Sequence, residues 1–157
     1  MRGNKLTVFI SLLASVFFLV NSCKPDAVIS PQTTYSKRDI IMSSGQEIPY
    51  NSSTATGILN VSYSKVTKIL SYDFTWSGLT GPATAAHIHG LGPVGYSAGV
   101  VQAFSGLSAT ASGKYSGTLL ADGVKVIEDD LLNGLYYVNI HTATYAGGEI
   151  RGQVRFY

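Results

Sequence analysis

Apolar and polar residues alternate along most of the chain, and runs rich in glycine, serine and proline interrupt the alternation. Apolar side chains occupy every second position through most of Thr54–Tyr63, and the same period returns in Lys65–Trp76. Successive side chains of a β-strand point to opposite faces, so this period predicts strands with one buried face. Similar short segments occur at 40–42, 83–89, 98–104, 113–120, 135–142 and 149–156. The pattern predicts an all-β fold, a Greek-key-like antiparallel β-sandwich of about 7–9 strands.

One segment, 124–132, has helical instead of alternating spacing. Its apolar residues, among them Ile127 and Leu131, recur three and four positions apart. Asp122 could cap the start of this segment, and Gly134 could end it. We therefore predict one short helix near 124–132.

The last two predicted strands form a hairpin with two different faces. If 143–147 is the loop, Ile140 lies opposite Ile150 and Asn139 lies opposite Arg151. The apolar set, which we assign to the core, is Val138, Ile140, Ile150 and Val154. The polar set, on the other face, is Asn139, His141, Glu149, Arg151 and Gln153. Glu149 would orient the imidazole of His141 if this face is a binding site; the alternative is an ordinary polar surface.

The N-terminus has the features of a bacterial lipoprotein signal. Arg2 and Lys5 precede an apolar run, 6–20, that is shorter than the roughly 20 residues of a membrane-spanning helix. Cys23 is the only cysteine, and the residues before it suit the cleavage site of such a signal. We predict a signal peptide over 1–22, a lipidated Cys23 with a flexible tether over 23–35, and one domain over 36–157.

This organisation predicts where the protein is found and which partners it has. Acyl chains on Cys23 would hold it on a membrane outside the cytoplasm, in the cell envelope of a bacterium and at the outer membrane. Without Arg2 and Lys5, the chain would have nine basic and nine acidic residues, and its sequence contains no basic patch interleaved with aromatics. Nucleic-acid binding is therefore disfavoured.

The three histidines of the chain lie in two of the predicted strands. His87 and His89 are two positions apart and so point the same way, and His141 lies in a second strand. Together they could supply three imidazole ligands to Zn or Cu. Alternatively, they hydrogen-bond the main chain and stabilise the turn at 90–95, or they line a ligand-binding surface without metal.

Catalytic motifs find no support in the surrounding sequence. Gly95–Gly99 matches the spacing of a hydrolase nucleophile elbow, which requires a strand–turn–helix in a parallel α/β sheet. Gly90–Gly95 matches the dinucleotide-binding fingerprint, which must open a helix, yet Pro93 and another predicted strand follow. We therefore predict no catalytic residues.

Five motifs in order give the chain a family resemblance. They are Glu47–Pro49, Ala55–Gly57, Ala85–Gly90, Tyr137–Thr142 and Gly147–Gln153. Together they resemble the CHRD domain, found in chordin and singly in many bacterial secreted proteins, over about residues 37–157. The resemblance implies an extracytoplasmic β domain and supplies no reaction. The leading hypothesis is a membrane-anchored binding or interaction module with an unidentified protein or glycan partner, and the alternative is a Zn- or Cu-binding protein.

Overall fold

The computed structural model describes residues 31–157, which form one antiparallel sheet. Within this range lie eight strands: β1 Thr34–Ser43, β2 Thr56–Ser64, β3 Ile69–Ser77, β4 Ala83–Gly90, β5 Val100–Ala103, β6 Gly113–Leu120, β7 Tyr136–Thr142 and β8 Ile150–Gln153. A 3-10 turn covers Ser44–Gln46, and one helix, α1, covers Glu128–Leu132. The predicted signal peptide, Cys23 and most of the predicted tether lie outside the described residues.

The sheet is nearly closed, with the order β5-β4-β7-β8-β1-β2-β3-β6. Side chains join the two edge strands: Gln102 of β5 accepts a hydrogen bond from Tyr72 (3.0 Å) and donates one to the carbonyl of Thr118 in β6 (3.1 Å). The β3–β4 and β6–β7 connections cross between strands that are not neighbours, as in a Greek key. The predicted all-β antiparallel fold with one short helix is confirmed.

The core lies on the inner face of this sheet, where the alternation placed it. Along β3 every second side chain is buried, and the four are Leu70, Tyr72, Phe74 and Trp76. The apolar set of the last hairpin is also fully buried: Val138, Ile140, Ile150 and Val154. Burial of each large aliphatic side chain contributes roughly 1.5–3 kcal/mol, so the hairpin is held firmly on the core.

The helix is shorter than predicted because Asp122 stabilises a turn. The Asp122 carboxylate accepts hydrogen bonds from three consecutive main-chain N–H groups, 124–126, at 2.8–3.0 Å. Ile127 then has an extended backbone (φ −92°, ψ 131°), so α1 covers only Glu128–Leu132. Gly134 follows the helix with a positive φ of 75°, as predicted for its end.

The first strand begins earlier than the sequence pattern indicated. Thr34 and Tyr35 already pair with Ser64 and Tyr63 of β2, so these two residues belong to the sheet and not to the tether. Among residues 31–157, no helix combines the length and the apolar character needed to cross a membrane.

Candidate functional site

Strands β4 and β7 bring the three histidines together on the outer face of the sheet. In their antiparallel register His87 lies opposite Asn139, His89 opposite Tyr137, and Ala85 opposite His141. Side chains two residues apart share a face, so the three imidazoles point to the same side. His89 and His141 are each only 8% exposed, whereas His87 is half-buried.

The ring nitrogens converge. Nδ1 of His87 lies 3.0 Å from Nε2 of His141, and one nitrogen from each of the three rings lies within 4.8 Å of the other two. Two imidazole nitrogens bound tetrahedrally to one Zn²⁺ are about 3.3 Å apart, given the usual bond lengths. The His87–His141 pair is close to this spacing, and the nitrogen of His89 lies within 4.8 Å of both.

Two of the histidines use their other nitrogen to contact the main chain. Nδ1 of His89 lies 2.9 Å from the carbonyl oxygen of Ala98, and Nδ1 of His141 lies 3.0 Å from that of Ala146. In a neutral ring this places the proton on Nδ1 and leaves a lone pair on Nε2. Metal-binding histidines commonly have this arrangement, in which the second nitrogen donates to a carbonyl. Main-chain hydrogen bonding and metal binding are therefore compatible interpretations here.

The remaining nitrogen of His89, Nε2, has no hydrogen-bond partner in the described part of the chain. This nitrogen is also buried. A buried polar atom without a partner costs free energy, and such atoms are uncommon in folded proteins. The lone pair of this nitrogen is therefore available to a ligand.

Burial also favours the neutral form of His87 and His141. It is the main cause that lowers the pKa of His87, and the nearby His141 and His89 lower it further. Burial likewise lowers the pKa of His141, although its bond to Ala146 opposes the shift. Neutral imidazole is the form that binds metal ions.

The polar face of β7 and β8 is covered and not solvent-exposed, contrary to the simple alternation. A loop at 91–98 lies over it, because the guanidinium of Arg151 donates to the carbonyls of Tyr96 (2.8 Å) and Pro93 (3.2 Å). Gln153 donates to the carbonyl of Gly92 (2.8 Å). We call the outer side chains of these two strands the covered face: Tyr137, Asn139, His141, Arg151 and Gln153.

Tyr137 lies between two cationic or basic side chains of the neighbouring strands. The Arg151 guanidinium lies 3.4 Å from the centroid of its ring, and the His89 ring stacks parallel to it at 4.8 Å. A cation–π contact such as that of Arg151 with Tyr137 is worth about 0.5–2 kcal/mol. Tyr137 thus connects the histidines to the arginine that holds the covering loop, a role that the sequence did not indicate.

Glu149 does not orient His141, so that expectation is wrong. Its carboxylate accepts hydrogen bonds from Ser53, from Thr142 and from both the hydroxyl and the main-chain N–H of Thr80, at 2.6–2.9 Å. The alternation fails because Glu149 precedes β8 and follows Gly148, whose φ is 130°. The predicted register itself is confirmed, since Ile140 pairs with Ile150 and Asn139 with Arg151.

Glu47 is a buried acid beside the site. The sequence pattern did not predict that Glu47 would lie there. It is 4% exposed, and its Oε1 has no hydrogen-bond partner within residues 31–157. Burial raises the pKa of Glu47 to about 7, although Arg151 and the amide of Asn139 each lower it. Its position in the first of the five motifs was the one available signal.

Comparison with known proteins supports the resemblance drawn from the motifs. No curated protein and no solved structure matches the chain. The family model described as the CHRD domain matches residues 39–154, which includes all three histidines, Glu47 and the covered face. The match extends over most of the chain, and the chain therefore belongs to the CHRD domain family.

Proposed function

We propose that this CHRD domain is a transition-metal-binding module, with His87, His89 and His141 as ligands. Membership of the family indicates a binding or interaction module. The observation that carries the proposal is the convergence of one nitrogen from each ring, with the opposite nitrogens of His89 and His141 bonded to carbonyls. Three imidazoles without a thiolate suit Zn²⁺ or Cu²⁺.

The proposal includes a place in the cell. The single cysteine, Cys23, would carry the lipid anchor after removal of residues 1–22, and the domain would stand outside the cytoplasm in the bacterial cell envelope. We expect Cys23→Ala to move the protein from the membrane fraction to the soluble fraction of an expressing bacterium and to abolish labelling with radioactive palmitate. Retention in the membrane by the variant would contradict lipid anchoring at this residue.

Calorimetric titration of the full-length protein in mild detergent tests the metal site. We expect one Zn²⁺ or Cu²⁺ per chain, with binding weakened by at least 100-fold in both His87→Ala and His141→Ala, because each removes one of only three imidazoles. Asp129→Asn is the control for adventitious binding, since Asp129 is an exposed acid on α1. Equal binding by all four proteins, or none by the parent chain, would overturn the proposal.

A metal-free interaction module is the second candidate. A patch of exposed apolar side chains on the covering loop favours it, and its members are Leu91, Val94 and Tyr96. Exposed apolar patches often mark protein-binding surfaces. If the titration shows no metal, and the histidine variants only lower the unfolding temperature, this candidate replaces the first.

A further inference from the structure

Asn139 occupies the centre of the histidine cluster. It lies directly opposite His87 in the β4–β7 register and two residues before His141 in β7. Its side chain therefore shares the outer face with all three imidazoles. Asn139 is 2% exposed, so its amide must find its partners within the protein or in a bound species.

The contact between Asn139 and His141 joins two acceptors. Oδ1 of Asn139 lies 3.0 Å from Nε2 of His141. A neutral imidazole carries one proton, and Nδ1 of His141 directs it to the carbonyl of Ala146. An amide oxygen and a nitrogen lone pair that face each other at this distance repel each other, and a cation bound beside both would relieve this repulsion.

The buried carboxyl of Glu47 lies next to the Asn139 amide. A hydrogen bond from this amide is one of the causes that lower the pKa of Glu47 against the effect of burial. An amide nitrogen directed to Glu47 leaves the amide oxygen directed to the histidines.

The spacing of these atoms fits a coordination sphere. Oδ1 of Asn139 and Nδ1 of His87 each lie 3.0 Å from Nε2 of His141. Tetrahedral ligands about 2.0–2.2 Å from Zn²⁺ are separated by about 3.3–3.5 Å. Resting on the proposed metal-binding function, we propose that the side-chain oxygen of Asn139 is the fourth ligand of a divalent Zn²⁺ or Cu²⁺ ion.

A thiolate at position 139 tests ligation directly. Asn139→Cys, in a full-length Cys23→Ser background, should bind Co²⁺ with near-ultraviolet thiolate-to-metal charge-transfer absorption, because a ligating cysteine is deprotonated. Ser71→Cys is the matched control: Ser71 is exposed on β3, and its variant should bind Co²⁺ without that absorption. Co²⁺ binding to Asn139→Cys without the absorption would overturn the assignment.

Affinity for Zn²⁺ supplies a second, independent measurement. We expect Asn139→Ala to weaken binding by about 10–100-fold and Asn139→Asp, which keeps an oxygen in place, to retain it. Circular dichroism on each variant shows whether it is folded. If both variants bind as tightly as the parent, the site is a three-histidine site without Asn139, and the proposed function survives. If the parent chain binds no Zn²⁺, Cu²⁺ or Co²⁺, both proposals fail.

Discussion

Two outer faces of the same sheet have similar residue patterns and opposite surroundings. On β3 the outward side chains are polar and exposed, and we call them the open face: Ser71, Asp73, Thr75 and Ser77. On β7 and β8 the outward side chains of the covered face are polar as well, yet all are buried. Sequence alternation alone cannot distinguish these two outer faces, because β3, β7 and β8 all have an apolar inner face.

The difference comes from what lies above each face. The side chains of the covered face have buried partners: Arg151 bonds to three carbonyls of the loop at 91–98, and Gln153 donates to the carbonyl of Gly92. Buried polar groups must be hydrogen-bonded, so each partner is needed for stability. On the open face, water can replace any lost hydrogen bond. Substitutions on the two faces should therefore differ in cost.

The largest loss of stability is expected for a substitution at Arg151. Arg151→Ala should lower the free energy of unfolding by about 3–5 kcal/mol, because it leaves loop carbonyls and the acid Glu47 buried without their partner. Urea unfolding followed by circular dichroism measures this. Arg155→Ala, an exposed arginine shortly after β8, is the control and should change stability by no more than about 0.5 kcal/mol. A loss below about 1 kcal/mol at Arg151 would mean that the loop is held by other contacts.

A smaller and pH-dependent effect is expected at Glu149. Burial raises the pKa of Glu149, but hydrogen bonds from Ser53, Thr142 and Thr80 outweigh it and hold that pKa below 4.5. Its folded pKa is thus depressed, so the stabilisation is present above pH 4.5 and is lost as the pH falls through the folded value. Glu149→Gln should cost about 2–3 kcal/mol at pH 7, since charge-assisted hydrogen bonds are replaced.

Unfolding curves of Glu149→Gln and the parent chain at several pH values check this prediction. The difference in the free energy of unfolding between the two proteins should decrease progressively below pH 4.5. Thr142→Val removes one donor and keeps its shape, and it should cost about 1 kcal/mol. A difference that stays constant down to pH 2 would show that the charge of Glu149 does not stabilise the fold.

The smallest effect is expected on the open face. Ser71→Ala should change the free energy of unfolding by no more than about 0.5 kcal/mol, because the exposed hydroxyl can hydrogen-bond with water. The same urea assay measures it. A cost above about 1 kcal/mol would remove the contrast between the two faces.

The fold was largely predictable because the inner face follows a simple period. Strand β6 has the predicted bounds, and the inward residues Val138, Ile140 and Ile150 are buried as expected. The helix was overestimated because helical spacing does not reveal that the Asp122 carboxylate takes up three N–H groups. Such a side-chain-to-main-chain turn competes locally with helix formation.

The site was predictable only in part. Alternation placed His87, His89 and His141 on one face, where the structure has them. It could not place Glu149, which lies outside β8 after a glycine with positive φ, nor Glu47, which comes from a segment without a period. It also could not show that a loop covers the face, since the contacts of Arg151 with main-chain carbonyls depend on tertiary structure.

The side-chain junction between β5 and β6 affects how the nearly closed sheet opens. A main-chain ladder resists separation along its whole length, whereas this junction depends on Gln102 and on stacking of Phe104 against Tyr115. Local opening should therefore start there, and amide hydrogens of β5 should exchange with solvent sooner than those of β7. The strand that carries His87 and His89, β4, pairs with β5. A metal ion bound between β4 and β7 would therefore stabilise the sheet next to this junction.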